Sequence, residues 1–170
     1  VGESTKLKEL GVPPVQKLIG RALLGLPVSA PYTLFDMADD VAGLLDALGI
    51  QQAHVAGASM GGAIAQLAAA NYPERVLSLT SIMSSSGNPA LPAPTPAAAT
   101  ALFAPLPHQR DRESIVADSI ARYETLESPA YPTDRGRLRQ LFADEYERNF
   151  DPRGVARQLA ALIANGDRRA

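Results

Sequence analysis

The chain has 170 residues, a length that suggests one domain or one domain with an inserted lobe, and its 46% hydrophobic and 20% charged residues are typical of a packed protein rather than of a disordered segment. Its formal net charge of −2, without a basic block, argues against nucleic acid or a membrane surface as partner. Without cysteine, the chain has no disulfide, thiolate nucleophile or zinc–thiolate site. The absence of a long apolar run or a signal-like start favours a cytoplasmic location.

The first third of the chain predicts two helices. A loop leads into the helix-capable stretch "VQKLIGRALLGL", which Pro27 and Pro31 close. The stretch "YTLFDMADDVAGLLDALG" predicts a second helix, with Thr33 as its N-cap and Gly49 as its left-handed C′ residue. Its apolar side chains recur at helical spacing, at Met37, Val41, Leu44, Leu45 and Leu48.

The middle of the chain predicts a strand, a helix and a second strand. Residues 53–58 form a short, apolar, glycine-bounded run, which is typical of a strand buried on both faces. Small and apolar residues from 61 to 70 predict a closely packed helix, and "VLSLTSIM" predicts the second strand. About 30 residues in this order make a βαβ unit, whose two strands are parallel.

The composition changes after the second strand. Residues 84–100 are rich in Pro, Ala and Ser and are typical of a connector. Beyond it, the pattern predicts helices over 97–104, 112–126, 134–149 and 152–165 and no strand. The sequence therefore predicts an α/β region over 1–90 and a helical region over 91–170.

The turn between the first strand and its helix, "HVAGASMGGAIA", carries a Gly-x-Ser-x-Gly pattern. A strand that turns directly into a helix forces the serine into a strained conformation and projects its hydroxyl above the sheet edge. Tight packing on both sides requires small residues, which Gly57 and Gly61 supply. The backbone N–H of Met60, at the helix start, is an oxyanion donor in this interpretation.

Two other interpretations of this turn are a dinucleotide site and a plain tight turn. A dinucleotide turn of the short-chain dehydrogenase kind needs a third glycine where this chain has Ala63. It also needs a tyrosine followed four residues later by lysine, and lysine occurs only at positions 6, 8 and 17. The pattern therefore favours a nucleophile at Ser59, with the plain turn still open.

The sequence resembles an α/β-hydrolase over most of its length. The likeness lies in the stretches "YTLFDMADDVAGLLDALGI", "AHVAGASMGG" and "YPERVLSLTSI", and in the connector and the helices that follow. The likeness is to serine esterases such as polyketide methylesterases. It implies a partial α/β-hydrolase fold, with a parallel βαβ core over 1–90 and a helical cap, or lid, over 91–170. It also implies hydrolysis of a small-molecule carboxylic ester without metal or organic cofactor. The residues it implies are the nucleophile Ser59, the oxyanion donor Met60, and the elbow glycines Gly57, Gly61 and Gly62.

The resemblance also implies parts of the fold that this sequence does not show. The family's fold has strands that would precede residue 1, and segments with the catalytic acid and histidine that would follow residue 170. We therefore expect this chain to be a fragment with weak or no activity of its own. His54 precedes Ser59 by about 16 Å of strand, too far for a general base. His108 falls in the cap region, and Glu74 lies at the wrong edge of the sheet, so the usual order of serine, acid and histidine has no plausible members here. A carbon–carbon bond hydrolase of the same fold and a non-catalytic binding or oligomerisation module remain alternatives.

The end of the second strand and the strand edges carry two weaker predictions. Met83 and Ser84 are expected to line a pocket above the sheet edge, although serines 84–86 also suit the backbone groups of a turn. Two parallel strands alone leave unpaired edges, which predicts self-association into a homo-oligomer.

Overall fold

The computed structural model describes residues 4–88 and 90–165. The predicted regions 1–90 and 91–170 also include residues 1–3, Pro89 and residues 166–170, which lie outside the described part. The described chain divides into two compact units. The larger contains residues 7–91 and 152–165, and the smaller contains residues 4–6 and 92–151. A division near residue 90 is also what the sequence predicts. The segment from Pro152 differs from the prediction, because it groups with the larger unit and not with the helical region.

The elements of the chain agree with the predicted helices and strands to within about two residues, except that α1 ends at Leu23, three residues before the end of the predicted stretch 15–26. In chain order they are α1 (Val15–Leu23), α2 (Leu34–Ala47), β1 (Ala53–Ala58), α3 (Met60–Asn71), β2 (Val76–Ile82), α4 (Pro96–Phe103), α5 (Arg112–Leu126), α6 (Arg135–Asn149) and α7 (Pro152–Ala164). Two short 3-10 helices, Lys8–Leu10 and Pro73–Arg75, precede α1 and β2. None of the described helices has the length and apolar character needed to cross a membrane.

Helix α2 begins with a reciprocal capping box. The Thr33 hydroxyl accepts a hydrogen bond from the Asp36 N–H at 3.2 Å, and the Asp36 carboxylate accepts one from the Thr33 N–H at 2.7 Å. Gly49 follows the helix with φ 68°, as a left-handed C′ residue should. The hydrogen bonds from the Thr33 side chain and backbone lower the pKa of the Asp36 carboxyl below its usual value of 3.8.

Thr33→Ala should destabilise the chain by about 1 kcal/mol at neutral pH, because it removes the cap. The folded pKa of Asp36 is depressed, so its stabilising contribution is present above the unfolded value of 3.8 and is lost as pH falls through the folded value. The difference between wild type and variant should therefore shrink in acid. Urea denaturation at neutral pH and at a pH well below 3.8 measures this difference in the free energy of unfolding. Thr33→Ser, which keeps the hydroxyl, is the control. A difference that does not change with pH would contradict this role of Asp36.

The core of the larger unit lies where α2, α3 and α7 meet. Its buried residues are Leu34, Ala38, Ala63, Leu67, Ala68 and Ala161. Most are alanines, which let the helices approach closely. Arg157 of α7 is 2% exposed and donates a hydrogen bond from Nη1 to the Gly11 carbonyl oxygen at 3.0 Å. These contacts explain why α7 belongs to the larger unit.

Strands β1 and β2 pair in parallel, which confirms the predicted βαβ unit, with Gly57 opposite Ser81 and Ala58 opposite Ile82. The prediction that the first strand is buried on both faces is wrong. Half-buried and exposed residues alternate along β1, and all of β2 after Val76 is exposed. The reason is that α3 packs against the strand pair from one face only, among the described residues. Association through the free strand edges stays a prediction.

The smaller unit contains three helices with a separate core. Val116 and Ile120 of α5 pack against Leu138 and Ala143 of α6. The side chains of Thr95, Asp111 and Asp134 cap the N-termini of α4, α5 and α6 in that order.

Candidate active site

Ser59 is the single residue between β1 and α3, and its backbone is strained. Its φ is 52° and its ψ −120°, a combination that an L residue avoids and that glycine dominates at the first central position of a type II′ turn. The Ser59 N–H donates a hydrogen bond to the Ile82 carbonyl oxygen at 2.9 Å, which ties the turn to the end of β2. The residue itself is exposed.

The backbone conformation of Ser59 argues against the interpretation of this segment as a plain turn. Holding a non-glycine residue there costs about 1–3 kcal/mol, and such strain concentrates at functional sites. A turn with only a structural role would be more stable with glycine at this position. The observed backbone therefore favours a functional hydroxyl over a plain turn.

Of the glycines around Ser59, Gly57 and Gly62 have no room for a side chain, whereas Gly61 differs from the prediction. A Cβ on Gly57 would lie 2.1 Å from the Gly61 carbonyl oxygen, so no side chain fits there. A Cβ on Gly62 would lie 2.6 Å from the Ser84 Cβ. A Cβ on Gly61 would meet no atom within 4 Å. The prediction that Gly61 is needed for its lack of a side chain is thus corrected: Gly61 makes the close contact with Gly57 through its carbonyl group, and Gly62 is the second position without room.

Met60 occupies the first position of α3. The first N–H groups of an α-helix have no acceptor within the helix, and the helix dipole favours negative charge at this end. The Met60 N–H thus has the chemistry of an oxyanion donor one residue from the Ser59 hydroxyl. The first intrahelical bond of the turn runs from the Ala63 N–H to the Ser59 carbonyl oxygen, at 3.2 Å.

The structure does not bring the candidate bases of the larger unit to Ser59. His54 lies near the start of β1, about 16 Å of strand away, and its Nδ1 is 2.8 Å from the Ser78 hydroxyl. Glu74 lies in the 3-10 helix beyond the far end of α3, which is about 18 Å long. His108 is an exposed residue of the smaller unit, in the segment between α4 and α5.

The residues after β2 adopt a turn whose backbone groups are partly satisfied by serines. The Ser85 and Ser86 hydroxyls accept hydrogen bonds from the N–H groups of Gly87 and Asn88, at 3.2 and 3.4 Å. Met83 is 81% exposed with φ 42°, and Ser84 is half-buried against Gly62. A pocket lined by Met83 and Ser84 stays a prediction.

Two contacts that support the elbow have no clear signal in the sequence. The Ile82 carbonyl oxygen holds the Ser59 N–H, but any residue at the end of β2 could supply that group. The Gln66 side chain of α3 donates a hydrogen bond to the Ser81 hydroxyl at 2.9 Å, opposite Gly57 in the strand pair. A glutamine in an alanine-rich helix and a serine in an apolar strand are the only hints of that pair.

Residues 1–161 match the profile of a family described as the alpha/beta hydrolase fold. Over 57 residues the chain is 42% identical to RutD of Caulobacter segnis, named as a candidate carbamate hydrolase, covering 34% of this chain and 21% of RutD. Over 50 residues it is 46% identical to the rhodomycin D methylesterase DauP of Streptomyces sp. (strain C5), covering 29% of this chain and 17% of DauP. A crystal structure of a hydrolase from Pseudomonas aeruginosa PA01 superposes with a TM-score of 0.48 and 26% identity, over 84% of this chain and 49% of that chain. The chain thus matches about a fifth of each curated relative's length.

Proposed function

Because the chain belongs to the alpha/beta hydrolase fold family, we propose that Ser59 is the nucleophile of a serine hydrolase that cleaves a small carboxylic ester. One observation carries the proposal: Ser59 is exposed in a strained conformation between β1 and α3, with its N–H bonded to Ile82. The name of DauP, a methylesterase, supports an ester as the substrate class.

The proposed reaction is acyl transfer to water. The Ser59 Oγ attacks the ester carbonyl carbon, and the carbonyl oxygen becomes an oxyanion that accepts a hydrogen bond from the Met60 N–H. The Ser59 hydroxyl loses its proton to water, and collapse of this intermediate breaks the bond to the alcohol oxygen, which takes a proton from water as it leaves, so that an acyl group remains on Ser59. Water then attacks the acyl carbon, releasing the carboxylic acid and restoring the hydroxyl.

The attacking hydroxyl must lose its proton, and the larger unit places neither His54 nor Glu74 within reach. Removing the base from a serine triad costs on the order of 10⁶ in turnover and leaves roughly 10³–10⁴ over water. We therefore expect this chain to hydrolyse only activated esters, and slowly. The separation of His54 and Glu74 from Ser59 also favours a second candidate function, a non-catalytic binding module that keeps the elbow as scaffold.

Turnover of p-nitrophenyl acetate tests the proposal. Wild type should release p-nitrophenol slowly but above the buffer rate, and Ser59→Ala should fall to that rate. Ser78→Ala is the matched control, because it removes the hydroxyl that pairs with His54, and it should keep the wild-type rate. Wild-type turnover in Ser59→Ala would exclude Ser59 as the nucleophile, and a wild type no faster than buffer would favour the scaffold.

A further inference from the structure

A cleft of about 540 Å³ lies beside α1 in the larger unit. Its volume falls within the range of about 300–1,000 Å³ typical of small-molecule sites. Four prolines form much of its wall, at positions 13, 14, 27 and 31, and Leu18, 8% exposed, also lines it. Because the proline rings fix the backbone φ, the wall is largely preformed.

The charged residues that line this cleft are both positive. Lys17 and Arg21 face it, and none of its lining residues is acidic. In the described part of the chain, Lys17 makes no ion pair, and Arg21 makes one hydrogen bond, from Nε to the Pro27 carbonyl oxygen at 3.0 Å. That bond orients the guanidinium group and leaves its two terminal nitrogens available.

The spacing of the two cations selects the kind of anion. Residues four apart on a helix place their Cβ atoms about 5–6 Å apart, so one compact dianion contacts both side chains. A phosphate group suits this pair, because arginine binds it through two parallel N–H groups and lysine binds it as a point charge. The prolines and Leu18 offer an apolar surface beside the charges.

We propose that this cleft binds an organic phosphate monoester, with the phosphate between Lys17 and Arg21 and an apolar body against the prolines. The site does not depend on Ser59 as a nucleophile, so Ser59→Ala is expected to bind the same ligand with unchanged affinity. The occupant is a free small molecule, since the cleft volume of about 540 Å³ lies in the range of small-molecule sites.

Titration of the full chain with phenyl phosphate, followed by amide NMR shifts, tests the site. Wild type should show saturable shifts over residues 13–31, and Lys17→Ala should weaken binding at least tenfold. Lys8→Ala is the matched control, because Lys8 is exposed but does not line the cleft, and it should bind as wild type does. Arg21→Lys should also weaken binding, because it removes the paired N–H groups.

Four results would overturn the proposal. Equal affinity of Lys17→Ala and Lys8→Ala would show only general attraction to positive charge. Equal affinity for phenyl phosphate and inorganic phosphate would show that the apolar wall does not contribute to binding. Saturable binding of neutral benzyl alcohol at the same affinity would show that the two cations do not contribute. Vesicles containing phosphatidic acid distinguish a lipid headgroup from a free ligand: we expect no cosedimentation, and cosedimentation lost in Lys17→Ala would contradict a free small molecule.

Discussion

Gly57→Ala should destabilise the chain by about 3 kcal/mol or more, at or above the upper end of ordinary overpacking. The added Cβ would lie 2.1 Å from the Gly61 carbonyl oxygen and 2.3 Å from its carbon. Both atoms belong to the backbone, so no side-chain rotation relieves the contact. Because domains are stable by only about 5–15 kcal/mol, we expect a large unfolded population or loss of the folded state.

Gly61→Ala is the matched control for this substitution, since the same methyl group meets no atom within 4 Å there. It should be neutral or stabilise α3 by about 0.5–1 kcal/mol, as alanine is the better helix former. Urea denaturation followed by circular dichroism compares the two variants directly. Equal stability of Gly57→Ala and Gly61→Ala would contradict the packing described for the elbow.

Ser59→Gly should stabilise the chain by up to about 2.5 kcal/mol while abolishing any ester turnover. Glycine adopts φ 52° and ψ −120° without the strain of about 1–3 kcal/mol that serine bears. Part of that gain is offset by about 0.4–1 kcal/mol, because glycine has more freedom in the unfolded chain.

Ser59→Ala is the control for this second variant, because it removes the hydroxyl but keeps a side chain in the strained position. Its free energy of unfolding should stay close to that of wild type. The comparison separates the conformational effect from the loss of the hydroxyl. A Ser59→Gly chain less stable than Ser59→Ala by about 0.4–1 kcal/mol, which is the cost of glycine's freedom alone, would mean that the backbone at this position is not strained.

The elements that the sequence predicts well are those specified by local chemistry. Thr33 and Gly49 mark the ends of α2, and the glycine-bounded run at 53–58 marks β1. Capping and periodicity act within one or two helical turns, so they are legible in a short window. The position of Ser59 follows from the same local pattern.

The features that the sequence does not predict depend on contacts between distant residues. Gly62 lacks room because of Ser84, 22 positions later, and Ser59 is held by Ile82. The grouping of α7 with the larger unit depends on Ala161 reaching the core and Arg157 reaching Gly11. Such pairings are set by tertiary packing, which overrides what any single stretch indicates.

The assignment of Ser59 as the nucleophile is tested most directly by fluorophosphonate labelling with peptide mapping. The phosphonyl group should bond to the Ser59 oxygen with loss of fluoride, on one peptide, and Ser59→Ala should carry no adduct. Labelling should be slow, since neither His54 nor Glu74 lies within reach to accept the proton. An adduct on Ser78 or Ser84 instead, or no adduct after long exposure of folded protein, would contradict the account.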